Sequence, residues 1–513
     1  LSTNGFNAQP PQLGSPEQLS SVRNTLRKCD YDEPSICRRL GTEVIPDYPP
    51  GSEVLATAQL ADALDALIYL LILGWPLDEA RLRGWLSPEG LAAFEAVGLL
   101  RRLPGARGEL YATAFLIPVH GLYVASDRKS PPRNPDLPLA ADFVYPANSW
   151  NSRQFLLGLP HWPCDDLLDL CSGSGVAALL AAAGWVGHAW ACDVTERCTV
   201  FAEFNRRLNG IENVTPARGD LYEPVQGRTF DCIVMHPPCL PSSGPRMIFA
   251  DGGDDGEQVL RRAVEGLPEY LRAGGRFYCF TLGTDRQGEQ IEQRIRRWLG
   301  PAQDDFHVVL ISFETGQNTG TIARKGGRPE SGFGPLTAHS ELYLRLKVTA
   351  YHYGAIVIER KRAGSATVTA RTRKADPAGR DAVEWFAAWA TASSDPGFDD
   401  VLLHSRPRLA PAFTLNVAHT VQNQRLVPTR FELRCEYPFS VASPCPKWVA
   451  MLAGACDGSR TALEVFEQLK QQKVLNSSMT EAQFAHDLRE MISHGFVEID
   501  ELRLPQPPSG FGG

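Results

Sequence analysis

Between residues 139 and 361, short continuous apolar runs alternate with stretches whose apolar residues recur every three or four positions. That is the rhythm of a doubly wound sheet, strand then helix. Leu167-Leu168-Asp169-Leu170 is the first strand, and the small-residue stretch Val176-Ala177-Ala178-Leu179-Leu180 after it is a helix. Ala189-Trp190-Ala191-Cys192 is the second strand, and a third begins at Val214 and stops before Gly219-Asp220-Leu221. Phe230-Asp231-Cys232-Ile233-Val234-Met235 has the unbroken apolar character of a strand covered on both faces. A helical pattern follows from Val259 to Leu271, and residues 276–282, 307–311 and 350–358 supply strands five, six and seven. The expected class is α/β.

The flanks carry a different pattern. In residues 17–125, Ser87-Pro88 offers an N-cap and a first-turn proline, with Leu91, Phe94 and Val97 as an apolar stripe ending near Gly98. Leu110-Tyr111-Ala112, Phe115-Leu116-Ile117 and Leu122-Tyr123-Val124 predict a short β-wing, so this module is expected to be winged-helix-like. A substrate cap or an interface suits it better than DNA reading. Residues 377–503 form a third module: Thr480 and Gln483 fit a capping box, Phe484, Leu488, Met491 and Ile492 share a face, and Gly495 ends the helix before strand 496–499. It too is expected to be winged-helix-like. Residues 127–138, rich in Pro, Arg and Lys, read as a linker, the polar stretch 314–340 as a mobile lid or substrate loop, and 505–513 as a disordered tail.

A chain of 513 residues needs more than one core, and 43% hydrophobic with 21% charged residues is ordinary for a soluble globular protein. The net charge of −8 speaks against nucleic acid as the main partner, since phosphate binding needs a basic surface. Arg261 and Arg262, and the set Arg294, Arg296 and Arg297, read as solvated helix faces. The longest apolar run, Ala66 to Trp75, is too short to span a bilayer and predicts a buried helix. The polar start has no secretory pattern, so the expected location is the cytoplasm. Twelve cysteines without a Cys-x-x-Cys predict buried free thiols and no metal site.

Chemistry concentrates in three places. Asp169-Leu170-Cys171-Ser172-Gly173-Ser174-Gly175 joins the first strand to its helix, with Gly173 and Gly175 placed to let a ligand approach the backbone. Asp193, at the tip of the second strand about twenty residues on, suits a carboxylate gripping two ribose hydroxyls. Asp220 and Leu221 follow the third strand, and His236-Pro237-Pro238-Cys239 the fourth. The order points to a nucleoside-binding domain.

This order resembles the class I S-adenosylmethionine (SAM) methyltransferases, and within them the branch whose fourth strand ends in Asn/Asp/Ser-Pro-Pro-aromatic and methylates planar nitrogens. The segment Phe249-Ala250-Asp251-Gly252-Gly253-Asp254-Asp255-Gly256-Glu257 looks like that branch as well. The chain as a whole resembles an actinobacterial-type family of methyltransferase-like proteins with flanking modules, and the Ala/Arg/Leu-rich, Lys-poor composition fits a high-GC bacterium. The resemblance implies a seven-stranded Rossmann-like domain with its last strand antiparallel, and SAM as cofactor. The expected cofactor set is Asp169, Cys171, Ser172, Gly173, Gly175, Asp193, Val194, Asp220 and Leu221.

The acceptor half departs from the family: His236 stands for the Asn and Cys239 for the aromatic. His236 can act as a base or acceptor contact near neutral pH, or simply cap the strand. With His236, Pro237 and Cys239 form the expected catalytic group, Cys239 as a pocket wall rather than a nucleophile. Tyr145 and Asn148 from the segment before the first strand, and Asp251 from the acidic cluster, are expected to meet the substrate. Asp254, Asp255 and Glu257 read as acids at a solvated helix N-terminus. Three functions stay open: methyl transfer to N or O of a small molecule, peptide or protein; an intramolecular ring closure or elimination on the same fold; and nucleic-acid binding through the flanks.

Overall fold

A computed structural model describes residues 10–46, 60–103, 108–128, 139–241, 247–317, 340–362, 367–373, 379–500 and 502. Most of the expected linker and substrate loop, and the C-terminal tail, lie outside them. The chain divides into two compact units, residues 1–306 with 314–363, and residues 307–313 with 364–513.

The first unit carries the expected sheet. Its strands are β1 (Cys164–Leu170), β2 (Val186–Asp193), β3 (Val214–Arg218), β4 (Phe230–Met235) and β5 (Leu271–Arg286). Helices α1 (Val176–Gly184), α2 (Glu196–Asn209) and α3 (Gln258–Tyr270) lie between them in sequence, and α4 (Ile291–Trp298) follows. The sixth strand, β6 (Phe306–Gln317), gives its middle to the second unit, where it pairs in parallel with Thr369–Arg373. The seventh, β7 (Val348–Arg360), runs antiparallel to β5, from Arg276 opposite Glu359 to Arg286 opposite Val348. The order in the first unit is β7-β5-β4-β1-β2-β3, and β1 to β5 run parallel to one another. The winding reverses between β1 and β4. An open sheet binds its ligand at such a point, in the crevice beyond the strands' carboxyl ends.

Register decides what meets there. Leu170 lies opposite both Met235 and Cys192, and Asp193 opposite Arg218. The chain therefore leaves β1 at Cys171, β4 at His236, β2 at Asp193 and β3 at Gly219 along one edge.

The N-terminal part of this unit corrects the expected wing. Glu109–Ala112 pairs with Leu77–Asp78 and Leu100–Arg102 in one three-stranded sheet, whereas Phe115–Val119 and Leu122–Ser126 form a separate hairpin. Both hairpin strands are almost wholly buried, which removes them from any exposed wing. Two asparagines of α2 complete the hairpin's edge: Asn205 bonds the N–H and C=O of Ala125 at 2.7 and 2.9 Å, and Asn209 bonds those of Tyr123 at 2.8 Å each. Asn205 also donates to the Ser174 carbonyl in the glycine turn, at 3.0 Å. The apolar run near residue 70 is buried as expected, but Ala63–Leu67 widens into a π-helical turn at Ile68–Ile72. Arg128 occupies the carbonyls of Leu70, Leu71 and Ile72 at its end.

In the second unit, Thr480 caps helix Glu481–Ser493 with Gln483 closing the box, and Phe484, Leu488, Met491 and Ile492 are buried. Gly495 takes φ +71° before the short strand Val497–Glu498. Sequence reasoning missed the long hairpin of Phe413–Gln422 and Arg425–Cys435. Its turn residues Asn423 and Gln424 take φ of +49° and +62° without the glycine that usually marks such a turn.

Candidate functional site

A cavity of about 490 Å³ opens at the carboxyl edge of β1 and β4. Asp169, Cys171, Ser172 and Gly173 line it from the glycine turn, Asp193 and Val194 from β2, and Asp220 and Leu221 from the turn after β3. His236, Pro237 and Cys239 close it from β4, and Tyr145 and Asp251 from the two flanking segments.

The glycine turn is shaped for close approach. Gly173 takes φ +54°, and nothing lies within 4 Å of the position a Cβ would occupy, so the space beside it belongs to the cavity. Its N–H donates to Asp193 Oδ2 at 3.0 Å, while Thr195 N–H and Oγ1 hold Asp193 Oδ1 at 3.0 and 3.2 Å. The Asp193 carboxylate is thereby fixed, and its remaining lone pairs are left for a ligand hydroxyl. The buried Ser172 Oγ has no partner. Gly175 is corrected: it lies outside the cavity wall, and a Cβ there would come within 2.8 Å of the Ala202 Cβ. Its φ of +75° and missing side chain serve the packing of α1 on α2.

Asp169 sits at the cavity floor, almost fully buried. Burial pushes its carboxyl up to about 8, with the nearby Asp193 charge adding to the shift and the Ala178 N–H at 3.2 Å opposing it. Burial likewise raises the thiols of Cys171 and Cys239, so neither is a thiolate at neutral pH. All twelve cysteines are free.

His236 lies between aromatic rings, stacked on Phe155 at 5.3 Å and edge-on to Phe280 at 6.0 Å. Its ring is partly accessible, through the cavity. Burial pushes its pKa down to about 4, so the imidazole is neutral at pH 7. Neither ring nitrogen has a hydrogen-bond partner among the described residues. This corrects the expectation of a base poised near neutrality: a ring so hard to protonate is a hydrogen-bonding group first.

The approach segment is tied down by Asp127, which accepts from Val144 N–H at 2.8 Å and pairs with Arg197 at 2.5 Å. That sets Tyr145 against Phe249, with ring centres 5.1 Å apart. Asn148 is corrected: it lies outside the cavity wall, donating to the carbonyls of Ile45 and Pro46 at 3.2 and 3.0 Å. The acidic cluster is also divided. Asp251 reaches the cavity, but Glu257 is buried against Arg294 at 2.7 Å and Arg286 at 2.9 Å, and Asp255 pairs with Arg261 and Arg286. Arg294 is therefore no solvated helix face; it is 3% exposed. Arg262 pairs with Asp220 at the cavity wall. Asn151, Phe155 and Phe249 are wall residues that sequence reasoning missed. Asn151 and Phe155 are four apart just after Ser149, the N-cap of helix Trp150–Leu157, and that spacing was legible.

Residues 151–300 match the family described as the methyltransferase small domain. The central domain is a class I SAM-dependent methyltransferase domain of that branch. The chain is 35% identical over 161 residues to a ribosomal protein uL3 glutamine methyltransferase of Bradyrhizobium diazoefficiens, covering 28% of this chain and 50% of that protein. It is 29% identical over 121 residues to a release factor glutamine methyltransferase of Thermodesulfovibrio yellowstonii, covering 21% of this chain and 43% of that one. The chain thus spans about half the length of the curated relatives it matches. Among solved structures, a ribosomal protein L11 methylase of Lactobacillus delbrueckii overlaps 38% of this chain and 70% of its own, at 17% identity and a TM-score of 0.23. No helix among the described residues is long and apolar enough to cross a membrane.

Proposed function

We propose that the chain transfers a methyl group from SAM to a planar NH₂ nitrogen of a protein substrate, a glutamine side chain being the group its relatives' names point to. The observation that carries this is His236, a neutral, unpartnered imidazole at the end of β4 and beside the glycine turn. SAM held by Asp193, Ser172 and the backbone at Gly173 would supply an electrophilic methyl carbon. The cavity walls fit that cofactor: a left-handed glycine with open space before it, a fixed carboxylate and an orphaned buried hydroxyl.

The protein's own part is positioning and proton management. A ring nitrogen of His236 can accept a hydrogen from the acceptor NH₂ and hold the nitrogen for in-line attack. As the N–C bond forms and the C–S bond breaks, the nitrogen becomes far more acidic than an imidazolium of pKa about 4, so the same ring nitrogen can take its proton. A hydroxyl acceptor would need a stronger base before attack. A carboxylate acceptor would face Asp142, Asp193 and Asp251 in the walls, Asp169 being protonated and Asp220 paired with Arg262. Both arguments favour nitrogen, and the neutral ring lends no support to ring closure driven by a histidine base.

The N-terminal module we read as a cap that presents the acceptor, its winged-helix likeness resting on its helices and three-stranded sheet and not on the buried hairpin. Its helix Pro88–Ala96 carries Glu89 and Glu95 and no basic residue, which counts against a phosphate surface. The test is direct: isotope-labelled SAM is supplied with purified ribosomal proteins and release factors, and calorimetry measures S-adenosylhomocysteine binding. Labelled methyl on a glutamine would support the reading. Failure of both SAM and S-adenosylhomocysteine to bind would end it.

A further inference from the structure

In the helix Trp150–Leu157, Asn151 is 9% exposed, lines the cavity, and leaves Oδ1 without any partner. Neither atom of its carboxamide makes a hydrogen bond among the described residues. An unpaired buried polar group is destabilising, so such a side chain either weakens the fold to no purpose or waits for a ligand. Its neighbours show the contrast. Asn148 donates its NH₂ to the carbonyls of Ile45 and Pro46, its own unpartnered Oδ1 lying outside the cavity wall, and Ser152 of the same helix, in the cavity wall, accepts from Ser149 Oγ at 2.9 Å.

Position in the helix says which part of the cavity Asn151 serves. Asn151 and Phe155 are one turn apart and share a face. The Phe155 ring stacks on His236 at 5.3 Å. The free carboxamide therefore belongs to the same part of the cavity as the unpartnered imidazole.

We propose that Asn151 is the second half of an acceptor clamp: its carboxamide pairs with a primary carboxamide of the substrate, donating one N–H to the substrate carbonyl and accepting one hydrogen of its NH₂, while His236 accepts the other. The inference rests on the methyl-transfer reading and names the group that reading acts on. A donor–acceptor pair side by side matches a carboxamide and mismatches a carboxylate, which has no hydrogen to give.

The experiment uses the full chain saturated with S-adenosylhomocysteine. It is titrated by ligand-observed NMR with N-acetyl-glutamine amide and its carboxylate counterpart, N-acetyl-glutamate amide. The glutamine probe is expected to bind about tenfold or more tightly than the glutamate probe, the weight of one or two hydrogen bonds. Asn151→Leu should lose that preference while keeping S-adenosylhomocysteine affinity. Asn151→Asp, which accepts but cannot donate, should shift preference toward acetamidine, whose amidinium only donates; a merely structural asparagine would give no such exchange. Equal binding of the two probes by the wild type would overturn the proposal, as would an Asn151→Leu chain that still prefers glutamine. Loss of S-adenosylhomocysteine binding in Asn151→Leu, with the probe preference intact, would assign the residue to the cofactor and also overturn it. A wild type that binds no S-adenosylhomocysteine would instead bring down the methyl-transfer reading, and this inference with it.

Discussion

The two halves of the cavity are built by different rules. The half we assign to the cofactor comes from consecutive strand ends, β1 to β3, where register alone brings Cys171, Asp193 and Gly219 to one edge. The half we assign to the acceptor gathers a helix before the sheet, the end of β4 and the segment after it, through Asn151, His236 and Asp251. One half is local and polar, fixed by backbone hydrogen bonds; the other is assembled at a distance and lined with aromatic rings. A substitution in the first should change what the protein binds as cofactor, and one in the second only what it acts upon.

The largest effect expected is on the acceptor side. Glu257 anchors the segment carrying Asp251 through Arg294, a pair 2% and 3% exposed. Arg294→Met leaves the buried carboxylate with Arg286 and Thr284 as its remaining partners and should cost about 3 kcal/mol in chemical denaturation, the low end for breaking a buried pair. If the two halves are independent, the protein that stays folded should still bind S-adenosylhomocysteine normally. Next is Asp193→Ala, which removes the acceptor of Gly173 N–H along with the carboxylate itself. Calorimetry should show roughly a 10²-fold loss of S-adenosylhomocysteine affinity, the scale of one or two charge-assisted hydrogen bonds. A near-normal affinity would refute the cofactor assignment.

Asp169 gives a pH signature. Its folded pKa of about 8 lies above the unfolded value of 3.8, so the folded chain holds a proton that the unfolded chain has lost between those limits. Its contribution to stability is full below pH 4 and disappears as pH rises through about 8. Binding of a cationic ligand group against it should run the other way, strengthening by up to about tenfold per pH unit toward pH 8. Asp169→Asn should flatten both trends; melting and binding series that keep their slopes would place their origin elsewhere.

The smallest effect is expected at His236→Asn, because an amide oxygen can accept the same hydrogen bond and so acidic a nitrogen can pass its proton to water without the imidazole. Turnover should stay within about tenfold of wild type, and the wild-type rate should show no inflection between pH 5.5 and 8 that the variant lacks. A profile with a limb near pH 6.5, abolished by the substitution, would restore the base role and dissolve the contrast between the halves.

The glycine-turn side of the cavity was legible because it is written in contiguous residues: an apolar strand, a glycine turn, and an acid at the tip of the next strand. Even there, Gly175 was misassigned, since packing against Ala202 and approach to a ligand ask the same thing of a backbone. The acceptor half was only partly legible. The departures at His236 and Cys239 were visible, but the neutrality of the imidazole follows from its burial beside Phe155 and Phe280, which no local pattern records. Asn148 and Asn151 look alike in sequence; tertiary partners alone separate the one whose NH₂ is bonded from the one that makes no hydrogen bond among the described residues. The arginines of α4 misled for the same reason, because amphipathic spacing cannot announce that Glu257 lies opposite.

Asn205 has a consequence for the behaviour of the protein in concentrated solution. By taking both backbone groups of Ala125, it seals a strand edge that would otherwise be a template for another chain. By also holding the Ser174 carbonyl, it joins that seal to the turn that receives the cofactor. Whatever tightens the turn keeps the edge closed, so ligand occupancy and resistance to aggregation should rise and fall together.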